Sequence, residues 1–189
     1  MPRLLPALVL ALAWLPLPAA AATPASPEVA ASWQKHEIEF TYMGFTTRYS
    51  CDGLRDKMRL LLRHAGARPD YKVTTRACTD LPGRVEPFPR VRLVFHAAAV
   101  PAQGAKDVGE PVIARWKAVS FARKQPRDLE LGDCELVEQF RDRVLPAFTT
   151  RNLASDIRCI PHQLSGTDFR LSYEVLEGVP EPDAPAKKR

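Results

Sequence analysis

The chain has 189 residues, 46% of them apolar, with 27 Lys+Arg against 22 Asp+Glu and four cysteines. A formal charge of +5, spread over both signs, suits attraction to an anionic surface and argues against the concentrated basic face of a nucleic-acid binder. Four cysteines without a C-x-x-C pair or close Cys/His spacing argue against a zinc site and for two disulfides.

The amino terminus carries Arg3, an apolar run from Leu4 to Leu17, and small residues from Ala19 to Ala22. These are the three regions of a secretory signal peptide over residues 1–22, with cleavage after Ala22. The run is short for a membrane span, and Pro6 and Pro16 interrupt it. No cysteine near the cleavage site offers a place for a lipid, and no later stretch is long and apolar enough to insert after cleavage. The mature chain, with 26 Lys+Arg once Arg3 is gone, is expected to be a soluble periplasmic or secreted protein of charge +4. In that compartment the cysteines are expected to be oxidised.

Residues 23–32, rich in Ala and Pro, read as a flexible N-terminal segment. Ile38, Phe40 and Tyr42 then alternate with Glu37, Glu39 and Thr41, the two-residue period of a half-buried strand. Met43-Gly44 predicts a turn into Phe45–Tyr49, making a hairpin. Ser50 is placed to cap a helix over Cys51–Ala65 that carries Leu54, Met58, Leu62 and Ala65 on one face and stops at Gly66. Strands are predicted over Tyr71–Ala77 and Val91–Ala97, followed by a linker at 98–111. In the second half, Asp133 is expected to cap a helix over Cys134–Leu145, ended by Pro146. Strands follow at Ser155–Ile160 and Thr167–Leu176, and residues 177–189 read as a disordered tail.

The two halves echo each other. Trp33 precedes Cys51 by 18 positions, and Trp116 precedes Cys134 by the same 18. Leu54, Met58, Leu62 and Ala65 recur as Leu136, Phe140, Val144 and Ala147 at an offset of 82. Val91–His96, V-R-L-V-F-H, answers Phe169–Glu174, F-R-L-S-Y-E. The predicted fold is therefore α+β: a duplicated strand/hairpin-helix-strand-strand unit, with repeats at 33–97 and 112–176. The repeats share one antiparallel sheet of about eight strands, covered by two helices about an approximate twofold. A bridge formed in the ancestral unit lies within a copy, so duplication predicts Cys51–Cys78 and Cys134–Cys159.

The segment Y-S-C-D-G-L-R-D-K, Tyr49 to Lys57, resembles a signature of exported proteobacterial proteins to which no function is attached. The resemblance implies an exported bacterial protein and no particular activity. A cysteine in the first turn of a helix can be a reactive thiolate, and Cys51 and Cys134 both qualify by position. The absence of a resolving cysteine two residues away favours a structural role. His36, His64, His96 and His162 lack mutual ligand spacing, so no metal or other cofactor is expected.

Arg55, Arg59 and Arg63 form a stripe at four-residue spacing that could hold an anion, with Asp52 and Asp56 placed to neutralise it. Trp33, Trp116, Phe40, Phe121, Phe95 and Tyr173 read as core rather than as a sugar-stacking platform. No nucleophile elbow, metalloprotease helix, phosphate loop or dinucleotide fingerprint occurs. The expected function is that of a non-enzymatic periplasmic binding or accessory protein for an unknown envelope protein. The alternatives are a binder of an anionic envelope polymer through the arginine stripe, or an enzyme of unrecognised type with a cleft between the repeats.

Overall fold

The computed structural model describes residues 27–78, 85–101 and 109–179. Residues 1–26, 79–84, 102–108 and 180–189 lie outside the described residues, and with them the expected signal peptide, the interior of the expected linker and most of the expected tail. In chain order the elements are β1 (Glu28–Thr41), α1 (Cys51–His64), β2 (Lys72–Arg76), β3 (Arg90–Ala99), β4 (Glu110–Ala122), α2 (Cys134–Arg143), β5 (Thr150–Arg158) and β6 (Asp168–Gly178). Short 3₁₀ turns at Leu131–Asp133 and Leu145–Ala147 flank α2.

The strands make one antiparallel sheet in the order β2-β3-β1-β4-β6-β5. β1 and β4 pair only from Glu28 to Trp33 and from Glu110 to Arg115. Beyond that short ladder β1 continues against β3, and β4 continues against β6. Two three-stranded halves are thus joined at their first strands. Each half runs strand, helix, strand, strand.

Alternation along the strands sends Phe40, Leu93, Phe95, Phe121, Leu171 and Tyr173 to one face, where they meet both helices in a single core. Phe95 stacks on Phe148 with centroids 5.1 Å apart, and Phe121 meets Phe140 edge-on at 5.9 Å. In α1 the buried face is Leu54, Met58, Leu61 and Leu62, and in α2 it is Leu136, Val137 and Phe140. The opposite face of the sheet is mostly charged, with ion pairs such as Arg92–Glu37 and Arg151–Glu174. At its centre lies a second, small apolar cluster of Ala31, Ala98, Ala114 and Leu176 beneath Trp33 and Trp116. Among the described residues no helix is long and apolar enough to cross a membrane.

Both disulfides form as duplication predicts, Cys51–Cys78 with Cα atoms 6.2 Å apart and Cys134–Cys159 at 5.6 Å. Each ties the first turn of a helix to the chain just past the next strand. Ser50 caps α1 as expected, accepting the Gly53 N–H at 3.1 Å, and Gly66 follows its end at φ +85°. Asp133 does not cap α2 through its side chain. Its carboxylate is instead drawn back to the Glu130 N–H, at 2.8 Å, which opens the preceding 3₁₀ turn.

Several boundaries differ from the sequence reading. The expected hairpin at Met43-Gly44 is absent, because residues 42–49 form an irregular connection whose backbone is claimed elsewhere. The Phe45 and Thr46 amides donate to Glu135 at 2.9 Å each instead of to a neighbouring strand. Gly44 serves close approach, since a Cβ there would sit 1.9 Å from the Tyr42 hydroxyl. Without hairpins the described residues hold six strands where about eight were expected. β1 begins at Glu28, inside the segment read as flexible, because residues 28–33 pair with β4. For the same reason β4 begins inside the expected linker, at Glu110, and β6 runs on to Gly178. α2 stops at Arg143, two residues short, as Pro146 imposes a 3₁₀ turn.

Candidate functional site

Three places gather polar chemistry, and the largest lies where the two halves join. Trp33 on β1 and Trp116 on β4 stand on the outer face of the sheet, each beneath an arginine. The Arg68 guanidinium lies 5.5 Å from the Trp33 ring centroid and that of Arg151 lies 4.2 Å from Trp116. Arg68 is fixed by Asp70 at 2.7 Å, Glu110 at 2.6 Å and the His96 ring at 3.2 Å. Arg151 is held by Glu174. Arg68 and Arg151 are separated by the same 83 positions as the two tryptophans.

Beside these stations runs a groove of about 1300 Å³, lined among others by Trp33, Trp116, Arg63, Arg68, Arg115 and Lys117. Lys117 is paired with Glu177 at 2.6 Å and Arg68 with Glu110. Arg63 and Arg115 have no carboxylate within ion-pair distance among the described residues. Glu28, opposite Arg115 on β1, lines the groove too, so four cations, Arg63, Arg68, Arg115 and Lys117, stand there with three carboxylates, Glu28, Glu110 and Glu177.

The second place is a pair of buried acids between the halves. Asp133 accepts the Tyr49 hydroxyl and lies 2.6 Å from the Lys57 ammonium. Glu135 accepts the Phe45 and Thr46 amides and, at 3.4 Å, the Tyr42 hydroxyl. Burial pushes the Tyr42 and Tyr49 phenols well above their ordinary range, with the Glu135 carboxylate adding to the effect at Tyr42 and that of Asp133 at Tyr49. Both therefore remain protonated donors. The network seals the 42–49 connection to the start of α2. A smaller groove of about 480 Å³, lined by Lys57, Arg59, Arg63, Tyr71 and Asp128, opens beside it.

The arginine stripe is only partly free. Arg55 pairs with Asp52 at 2.6 Å and Asp56 at 3.0 Å, and Arg59 reaches Asp56 at 3.5 Å. Arg63, the third member, lines both grooves.

The histidines are not gathered at one place. β1 and β3 are neighbours, but His36 lies opposite Phe95 and His96 opposite Lys35, so their side chains take opposite faces. His36 stacks on Phe95 at 5.4 Å, and burial, with His96 behind it, lowers its pKa. His96 lies 3.4 Å from the half-exposed Asp70. At the end of α1, burial lowers the pKa of His64, with Arg63 adding to the effect. His162 rests against Phe45 at 5.6 Å. No three His, Cys, Asp or Glu side chains among the described residues gather as a metal site.

Tyr42, Tyr49, Lys57 and Glu135 escape a reading of the sequence because their partners lie 76 to 93 positions away. The Arg68 and Arg151 stations carry a legible signal, the offset of 83 that relates the tryptophans. No protein-family model, no curated protein and no solved structure matches this chain.

Proposed function

We propose that the chain is an exported, non-enzymatic binding or accessory protein of the bacterial envelope, built from two copies of a strand-helix-strand-strand unit. It engages its partner through the groove where the copies join. The observation that carries this reading is the groove itself, lined by Trp33 and Trp116 and by Arg63 and Arg115, with Glu28 opposite Arg115 on the neighbouring strand.

Duplication is supported at several levels. The sheet order reads the same from either edge when each half is numbered within itself. Both halves place a disulfide between a helix start and the chain after the next strand. The arginine-over-tryptophan station recurs with its third member, His96 in one half and Glu174 in the other, at aligned positions. Export is supported by the N-terminal pattern together with two disulfides, which persist in an oxidising compartment. Binding rather than catalysis is supported by the buried acids, since Asp133 and Glu135 are both committed to holding the fold.

Arg63 and Arg115 also favour a second reading, an anionic envelope polymer lying in the groove rather than along the helix stripe. Gentle crosslinking in an envelope extract tests the first reading. The wild-type chain is expected to give a discrete complex and Arg63→Ala/Arg115→Ala to give none, whereas a chain that stays alone contradicts it. Retention on purified envelope polymer, lost in the same variant, identifies the second.

A further inference from the structure

A different surface, at the far end of β1 from the groove, carries an inference independent of that reading. The connection 42–49 lies alongside the segment entering β3. The Tyr42 N–H donates to the Pro89 carbonyl at 3.0 Å, the Glu86 N–H to that of Tyr49 at 3.2 Å, and Ser50 bridges to Val85. Along this seam the side chains of Phe88, Phe45, Val85 and Met43 are 65%, 61%, 50% and 48% exposed. The turn after β5 adjoins the seam, because Phe45 packs on His162 and the Thr46 hydroxyl donates to the Ile160 carbonyl at 3.2 Å. Four of the eight large apolar side chains exposed among the described residues are therefore concentrated here, and concentrated exposure marks a contact surface where scattered exposure does not.

The charge around the seam is of one predominant kind. Arg90 donates to the Thr41 hydroxyl at 3.0 Å and Arg143 to the Thr41 carbonyl at 3.0 Å, two residues before the exposed Met43. Arg48 lies between Thr47 and Tyr49 on the connection. None of the three has a carboxylate within 4.0 Å among the described residues, whereas Arg55, Arg68, Arg92, Arg141 and Arg151 all do. Of the acids at the seam, Glu86 is already engaged, and Glu135 is buried beneath it on the Phe45 and Thr46 amides.

We propose that this seam is a peripheral docking surface for an anionic lipid bilayer. Apolar side chains on loops enter the boundary between headgroups and acyl chains, and arginines beside them meet lipid phosphates. A bilayer accepts such a surface without a shaped pocket. The contact is reversible and distinct from insertion of a span.

Sedimentation of the mature chain with vesicles tests this. Phosphatidylcholine vesicles containing phosphatidylglycerol are expected to carry the protein down, those of phosphatidylcholine alone far less, and added salt to release it. Phe45→Ser/Phe88→Ser is expected to partition about tenfold more weakly, from the apolar area removed. Arg90→Gln/Arg143→Gln is expected to lose the preference for the anionic vesicles. The substituted phenylalanine side chains are exposed, so an unchanged urea midpoint certifies the fold. Arg63→Ala/Arg115→Ala, which leaves the seam itself unaltered, is expected to bind vesicles as the wild type does. No association with anionic vesicles overturns the proposal, and so does association left intact in a folded Phe45→Ser/Phe88→Ser chain.

Discussion

Glu135→Ala is the most informative single perturbation of the fold. Glu135 is 7% exposed, and one of its carboxylate oxygens takes three donors: the amides of Phe45 and Thr46 at 2.9 Å and the Tyr42 hydroxyl at 3.4 Å. Hydrogen bonds to a charged acceptor contribute about 1.5 to 3 kcal/mol each, so the two short ones together bound the loss at about 3 to 6 kcal/mol. The third is too long to count at full strength. Removing the carboxylate also removes its own desolvation cost, and water reaches part of the connection, so a loss of about 2 to 3 kcal/mol is expected. Urea unfolding at neutral pH reads it as a lower midpoint at unchanged slope. Amide exchange at Phe45 and Thr46 should accelerate more than exchange in β3. Glu135→Gln, which keeps an acceptor and gives up the charge, should recover about half the loss. A Glu135→Ala chain within about 0.5 kcal/mol of the wild type would refute the claim that this carboxylate organises the 42–49 connection.

The disulfides close loops separated by 27 and 25 positions, and in the chain-entropy model each stabilises the fold by about 3.5 kcal/mol. Cys134→Ala should therefore unfold at markedly lower urea and expose one reactive thiol, on Cys159. Peptide mapping without reduction should return Cys51–Cys78 from the same protein, and a Cys51–Cys78 bridge lost or rearranged would contradict independent halves. Tyr42 and Tyr49 have folded-state pKa values above those of the unfolded chain. Their contribution is present in full below the ordinary phenol pKa of about 10 and is lost as pH climbs above it, because the unfolded chain ionises first. Stability should fall on the alkaline side of about pH 10, less steeply in Tyr49→Phe, and melting curves across that range check the sign.

Much of the architecture was legible because it rests on local periods and on the correspondence of the two strand-helix-strand-strand halves. The four-residue apolar phase of Leu54, Met58 and Leu62 placed α1, and the recurrence of Trp33 and Trp116 gave the halves and, through them, both disulfides. The Met43-Gly44 turn misled because glycine answers a close approach by the Tyr42 hydroxyl as readily as it answers a turn. The β1–β4 ladder was invisible at Glu28–Ser32 because Ala- and Pro-rich composition hides strands whose partners are supplied from the other half. For the candidate site, Arg63 was singled out on the helix stripe. Arg115, Arg68 and Arg151 were not, since what joins them to it is the fold rather than spacing on one element.

The proposed binding surface is the junction of the two halves. Replacing Ile113, which is 49% exposed in the groove, with a photoreactive residue places the probe there. Replacing Asp156, exposed on the edge strand β5, gives the comparison. Irradiation in intact cells is predicted to give a crosslinked product from position 113 and none from position 156, and the same product from both positions, or from 156 alone, would contradict the claim.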